Sequence, residues 1–351
     1  MCVLLSRHPT HMLYASSTTM TTPQNTPPAA ANAPSSGAAT THASVTSAPN
    51  GIDPGYAVRP PGQGFTPLYA DHSRHWRENR IVYPVISRRS RGLSLGINLN
   101  PDKNCNFDCV YCSVDRTVPG DARGIDLAVI EHELDRLLDL ATTGAIFTDG
   151  AFAATPPALR RLNDVALSGD GEPTSSPHFA ASLRLAGALI DRHAPDPSAR
   201  AKLIIITNAT LLQRPAVVEG LAALDGRPAE IWAKLDAGTE AYYRTVERTK
   251  VPLATVVANL LATGRQRPLV IQSLFLRLNG VGPEAAEIAA WFDHLRRLQD
   301  GGCMIERVQV YTVARRPAED SVGHLPVAEV DAIAAKVREL GLVAESFYGP
   351  H

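Results

Sequence analysis

The sequence has little that would anchor, staple or charge it. Nowhere in its 351 residues is there a run approaching the roughly 18 apolar residues of a membrane-spanning helix, so no membrane partner is expected. Five cysteines are too few for a disulfide scaffold in a chain of this length. With 34 basic residues against 35 acidic, the formal net charge is -1. That balance excludes capture of nucleic acid by overall charge and leaves only a local basic patch. Charge is missing altogether between Arg7 and Asp53, where Ser, Thr, Pro and Ala dominate. Such a segment buries too little apolar surface to offset its conformational entropy, and residues 1–56 read as a disordered tail. The opening Met-Cys-Val-Leu-Leu run, broken by Ser6, Arg7 and His8, is too short for a secretory signal.

What the chain does have is alternation. Short apolar or β-branched runs stand at 93–99, 165–169, 202–208, 230–236, 269–276 and 307–313, with an irregular seventh at 345–349. Between them lie amphipathic helical patterns, such as Leu127, Ile130, Leu134, Leu137, Leu138 and Ala141, at three- and four-residue steps. Pro215, Pro283 and Pro326 fall where helices would begin. From the second run onward, successive strands start 37, 28, 39 and 38 residues apart, the rhythm of βα units on a parallel sheet. An open doubly wound sheet and a partial (β/α)6 barrel both fit this α/β pattern, and in both the ligands gather at the carboxyl ends of the strands.

Three of the five cysteines fall within eight positions, Cys105-Asn-Phe-Asp-Cys109-Val-Tyr-Cys112, directly after the first strand. A structural zinc site wants four ligands, usually as two pairs. No fourth Cys or His lies in this loop, Cys303 is expected at the opposite end of the sheet, and Cys2 sits in the tail. Three thiolates without a fourth suit a four-iron cluster with one iron open. A zinc knuckle completed by a distant histidine, or unligated core cysteines, are the alternatives. The polar Asn104, Asn106 and Asp108 argue against a buried core loop.

This C-x3-C-x2-C loop, with an aromatic before its third cysteine and a βα repeat behind it, resembles the radical S-adenosylmethionine (radical SAM) superfamily over residues 80–320. The resemblance implies a partial (β/α)6 TIM-like barrel of parallel strands over 93–351 with a C-terminal extension, and a basic segment 57–92 leading into it. It also implies a [4Fe–4S] cluster on Cys105, Cys109 and Cys112, with S-adenosylmethionine (SAM) chelating the fourth iron and Tyr111 near its adenine. The turn Gly169-Asp170-Gly171-Glu172 resembles the superfamily's Gly-Gly-Glu motif, which binds the methionyl amine. Its extension Gly-x-Gly-Glu-Pro-Thr is similar to the Fe–S oxidoreductases related to wyosine-tRNA synthases. Those carry a second cluster on additional N-terminal cysteines, whereas this tail has only Cys2.

By the same resemblance Asn208 and Asp236, at the ends of two strands, would hold the ribose. Lys234 would meet the cofactor carboxylate or act on substrate as a catalytic amine. Because side chains alternate along a strand, Lys234 and Asp236 share one face, and a Lys–Asp pair is the plainer reading of them. Gln272, Arg277, Tyr311, Arg315 and Arg316 are candidate substrate contacts. Arg74, Arg77, Arg80, Arg88, Arg89 and Arg91, opposed only by Glu78 and flanked by Trp76 and Tyr83, form a local basic stretch that would suit RNA or simply be solvated. The expected enzyme takes electrons from a reducing flavodoxin or ferredoxin and cleaves SAM to a 5′-deoxyadenosyl radical. It then abstracts hydrogen from an unidentified substrate, a tRNA base being one candidate, in the cytoplasm. A non-catalytic iron–sulfur protein for electron transfer or redox sensing is the alternative from another class.

Overall fold

A strand that is apolar on its outer face needs a helix laid against it, and each βα repeat supplies one. The computed structural model describes residues 76–148 and 150–349; the tail 1–56, Cys2 and Arg74 lie outside the described residues. The strands are β1 (Val82–Ser87), β2 (Gly92–Ile97), β3 (Leu162–Leu167), β4 (Lys202–Thr207), β5 (Ala229–Lys234), β6 (Leu269–Leu278), β7 (Ile305–Thr312), β8 (Val322–His324) and β9 (Ala344–Phe347). The helices are α1 (Leu127–Thr142), α2 (Phe179–His193), α3 (Pro215–Leu221), α4 (Glu240–Glu247), α5 (Leu253–Gly264), α6 (Ala285–Asp300) and α7 (Val327–Glu339).

The sheet runs β1-β2-β3-β4-β5-β6-β7-β9, and β8 pairs with β6. Strands β2 to β7 and β9 are parallel, while β1 is antiparallel to β2 and β8 antiparallel to β6. This is the half-barrel α/β architecture that the resemblance implies. Alternation divides its faces. Leu95, Val165, Leu203, Ile231, Ile271 and Val308 belong to the outer core beneath the helices, with Ile130, Leu134, Leu183, Leu260 and Leu295. Ala166, Ile204, Trp232 and Val270 form a separate cluster on the inner face.

The edge strand β1 was not visible in the sequence pattern, because Pro84 interrupts it and arginines flank it. Proline is tolerated there because an edge strand leaves one row of backbone groups unpaired. Buried Glu133 of α1 fixes the strand's start by accepting the backbone N–H groups of Arg80 (2.8 Å), Ile81 (2.9 Å) and Val82 (2.9 Å). The β1–β2 turn then reaches the far edge of the sheet. Arg91 pairs with Glu345 of β9 at 3.4 Å, and Arg88 donates to the carbonyl of Tyr348 just beyond β9. One turn therefore ties together two edges that do not hydrogen-bond as strands. No helix among the described residues is long and apolar enough to cross a membrane.

Candidate functional site

Four loops at the carboxyl ends of β2 to β5 converge, and their packing explains the turn after β3. The side chain of Asn98, at the end of β2, donates to Asp170 Oδ2 (2.7 Å) and accepts from the Asp170 N–H (3.1 Å). Neither Gly169 nor Gly171 has a positive φ. Their value is space. A Cβ on Gly169 would lie 2.2 Å from Asn98 Oδ1, and one on Gly171 would lie 2.0 Å from the Asn104 carbonyl oxygen. The two glycines thus let this turn lie directly against the segment leading into Cys105, rather than only making room for a ligand.

Buried Glu172 has a well-defined cradle. Its Oε1 accepts from Thr174 N (3.1 Å), Thr174 Oγ1 (2.5 Å) and Thr207 Oγ1 (2.6 Å), while Oε2 accepts from Asn208 N (2.7 Å). Burial raises its pKa, and these hydrogen bonds pull against the rise. Oε2 takes only one of these donors, so an acceptor lone pair remains on the oxygen that a further N–H or ammonium would meet. The Asn208 side chain is engaged in a different direction. Its amide donates to Asn106 Oδ1 at 2.7 Å, and Asn106 in turn donates to Thr210 Oγ1 at 2.7 Å, clamping the cysteine loop to the end of β4.

Cys105, Cys109 and Cys112 are free thiols that line one cavity of about 310 Å³ with Tyr111, Gly169, Asp170, Gly171, Glu172, Asn208 and Lys234. Burial pushes the Cys105 and Cys109 thiols up, and for Cys109 the Glu247 charge adds to the effect. A stable thiolate at these positions therefore calls for a bound cation. Among the described residues, no three His, Cys, Asp or Glu side chains are grouped so as to hold a metal ion. A single tetrahedral ion needs its ligands gathered around one point. No fourth cysteine and no histidine lines the cavity with these three thiols among the described residues. Arg116, which nothing in the spacing singled out, donates to Cys112 Sγ (3.1 Å) and to the Asp170 carbonyl (3.1 Å), bridging the two motifs.

Asp236 stands behind the cavity wall rather than in it. Fully buried, it accepts from Leu274 N (2.8 Å), from the Tyr111 hydroxyl and from Lys234 Nζ (2.7 Å). Lys234 also donates to the Tyr311 hydroxyl (2.7 Å) and lies 4.9 Å from the centre of the Tyr111 ring. Burial alone would depress its pKa, but Asp236 and Tyr311 overcome that and raise it. Lys234 therefore lines the cavity with its ammonium already engaged by Asp236 and Tyr311. The plain Lys–Asp pair is what the strand geometry produces. Glu247, also missed in the sequence, is a buried carboxyl at the end of α4 whose pKa is raised by burial and by Asp236.

Of the other candidates, Gln272, Tyr311 and Arg315 line the cavity. Arg277 instead pairs with Glu329 (2.5 Å), and exposed Arg316 pairs with Asp320 (2.9 Å). In the basic stretch, Arg80 pairs with Asp121 (3.0 Å) and Arg77 stacks over Trp76 (4.6 Å), so part of it is absorbed by internal contacts. Cys303 is buried before β7, remote from this cavity, with its thiol 3.7 Å from the Leu260 carbonyl oxygen.

No protein-family model matches the chain. A UPF0026 protein of Helicobacter pylori (strain J99) is 24% identical over 240 residues, which is 67% of this chain and 67% of that protein. A UPF0026 protein of Methanocaldococcus jannaschii is 29% identical over 170 residues, 47% of this chain and 43% of its own length. Among solved structures, a TYW1 with a lysine–pyruvate adduct bound aligns over 71% of this chain and 74% of its own at 16% identity, with a TM-score of 0.45. A radical SAM methyltransferase from Sphaerobacter thermophilus superposes with a TM-score of 0.52 at 12% identity, over 76% of this chain and 68% of its own. What this chain shares with that methyltransferase is its fold.

Proposed function

We propose that the chain is a radical SAM enzyme. The observation that carries this reading is the convergence of Cys105, Cys109 and Cys112 with the Gly169–Glu172 turn on one cavity at the carboxyl ends of a parallel half-barrel. When bound, a [4Fe–4S] cluster and SAM would supply reductive cleavage to a 5′-deoxyadenosyl radical, with electrons from a flavodoxin or ferredoxin in the cytoplasm. The three cysteines would hold the cluster. Glu172, with its spare acceptor on Oε2, would take the methionyl ammonium. The Lys234 ammonium is a counter-charge for a carboxylate, of the cofactor or of the substrate. Asp236 positions Lys234 and Tyr111 from behind. Asn98 and Asn106 fix each motif to a neighbouring strand end and Arg116 bridges the two, so the wall on which the cofactor would sit is held in place.

The test is anaerobic. The full chain is reconstituted with iron and sulfide, given dithionite and SAM, and assayed for 5′-deoxyadenosine beside Cys112→Ala. Product from the wild type alone is expected. No product from a preparation with its full iron complement, with a stronger reductant also failing, would overturn the reading.

A further inference from the structure

The inner face of the half-barrel carries charges that are nearly all matched. Glu230 pairs with Lys202 and Arg307, and Glu345 pairs with Arg307 at 3.3 Å and Arg91 at 3.4 Å. Two groups there have no ion pair among the described residues: buried Asp164 of β3, whose Oδ1 accepts from Ser94 and whose Oδ2 has no donor, and Arg89. Arg89 reaches in from the β1–β2 turn and lines the same cavity as the cysteines. Its guanidinium lies 5.4 Å from the centre of the Trp232 ring and 5.0 Å from that of Tyr311, and no carboxylate among the described residues pairs with it. A half-buried cation beside two rings and lacking an anion is a binding feature, because a guanidinium out of bulk water gains most from a bidentate oxyanion.

Another group on the same wall is left without a partner. Gln272 lies on β6, between the strands that carry Trp232 and Tyr311, and is wholly buried. A relay fixes its amide. The Glu345 carboxylate can only accept, so Gln309 donates to it through Nε2 (3.3 Å), and Gln309 Oε1 accepts from Gln272 Nε2 (2.7 Å). That leaves Gln272 Oε1 as a buried acceptor with no donor in a residue that lines the cavity. Such an atom is costly unless a ligand supplies the donor.

We propose that this cavity takes a small organic anion as substrate. Its carboxylate or phosphate docks on Arg89, and a hydroxyl or amine of the same molecule donates to Gln272 Oε1. The word substrate rests on the radical SAM reading; the binding site itself does not.

The full chain, anaerobically reconstituted and oxidised, is titrated with acetate, glycolate and inorganic phosphate by ligand-observed NMR at constant ionic strength. Iron and sulfide are measured on the same samples. Saturable binding of one anion per chain is expected, about tenfold weaker in Arg89→Gln and less weakened in Arg89→Lys, which keeps the charge but loses the fork. Glycolate should bind more tightly than acetate, and Gln272→Leu should erase that preference. Preference for phosphate or for the carboxylates identifies the anionic group. Equal binding by wild type and Arg89→Gln, chloride competing as well as the probes, or a response to a short RNA oligonucleotide alone would each overturn the proposal. Loaded iron without anion binding removes this inference and leaves the radical SAM reading standing. Anion binding without iron does the reverse.

Discussion

Replacing Gly171 by alanine should damage the cysteine loop from a distance of 66 residues in sequence. The added Cβ would sit 2.0 Å from the carbonyl oxygen of Asn104, whereas ordinary contact begins near 3.4 Å, so one backbone must yield by about 1.4 Å. Neither can yield easily. The turn is fixed by the four hydrogen bonds to Glu172, and the loop is fixed by Asn106 and Arg116. Overpacking of this kind costs roughly 1–3 kcal/mol, and a domain of this size loses about 2–4 °C of melting temperature per kcal/mol. Because Asn104 precedes Cys105, iron loading should fall as well. Gly282→Ala is the control, since its Cβ would meet nothing closer than 3.8 Å. The assay is a thermal melt with iron and sulfide analysis after parallel reconstitution. A Gly171→Ala protein that melts and loads iron like the wild type would refute the packing argument.

Two further outcomes follow from other contacts. Arg116→Gln removes a donor 3.1 Å from Cys112 Sγ, and hydrogen bonds to cluster sulfurs raise reduction potential. The variant's cluster should therefore reduce at a lower potential in an EPR-monitored titration, and an unchanged potential would count against that bond. Asp164 is buried on β3, and burial raises its pKa from about 3.8 to about 6. A raised carboxyl binds its proton more tightly in the folded state, so stability is greatest below pH 4 for this group and falls as pH climbs through 6. Asp164→Asn should remove up to about 3 kcal/mol of that slope. Denaturant melts at pH 4.5 and 7.5 should thus converge in the variant, and parallel pH profiles for the two proteins would contradict the assignment.

The parts of this molecule that were legible in the sequence are those whose signal is local. Cys105, Cys109 and Cys112 sit in one loop, the Gly169–Glu172 turn is contiguous, and the βα rhythm reads directly from the spacing of apolar runs. Strand β1 was hidden because its partner signal is an acid 51 residues beyond Val82, Glu133 capping Ile81–Val82 along with Arg80. The packing need for the two glycines carries no local signal, since what their smallness accommodates is Asn98 and the Asn104 carbonyl, far away in sequence. Arg116 and Glu247 carry no motif at all; only folding brings one to Cys112 Sγ and the other beside Asp236. Alternation did place Lys234 and Asp236 on one face, but it could not tell that Asp236 faces backward into the Tyr111 and Leu274 contacts.

The central claim is that three cysteines hold a four-iron cluster with one iron open to SAM. EPR of the dithionite-reduced, reconstituted chain, recorded with and without SAM, tests it most directly. The account requires a four-iron signal that changes when SAM is added and is lost in Cys112→Ala. A signal indifferent to SAM, or zinc in place of iron after anaerobic purification, would contradict it.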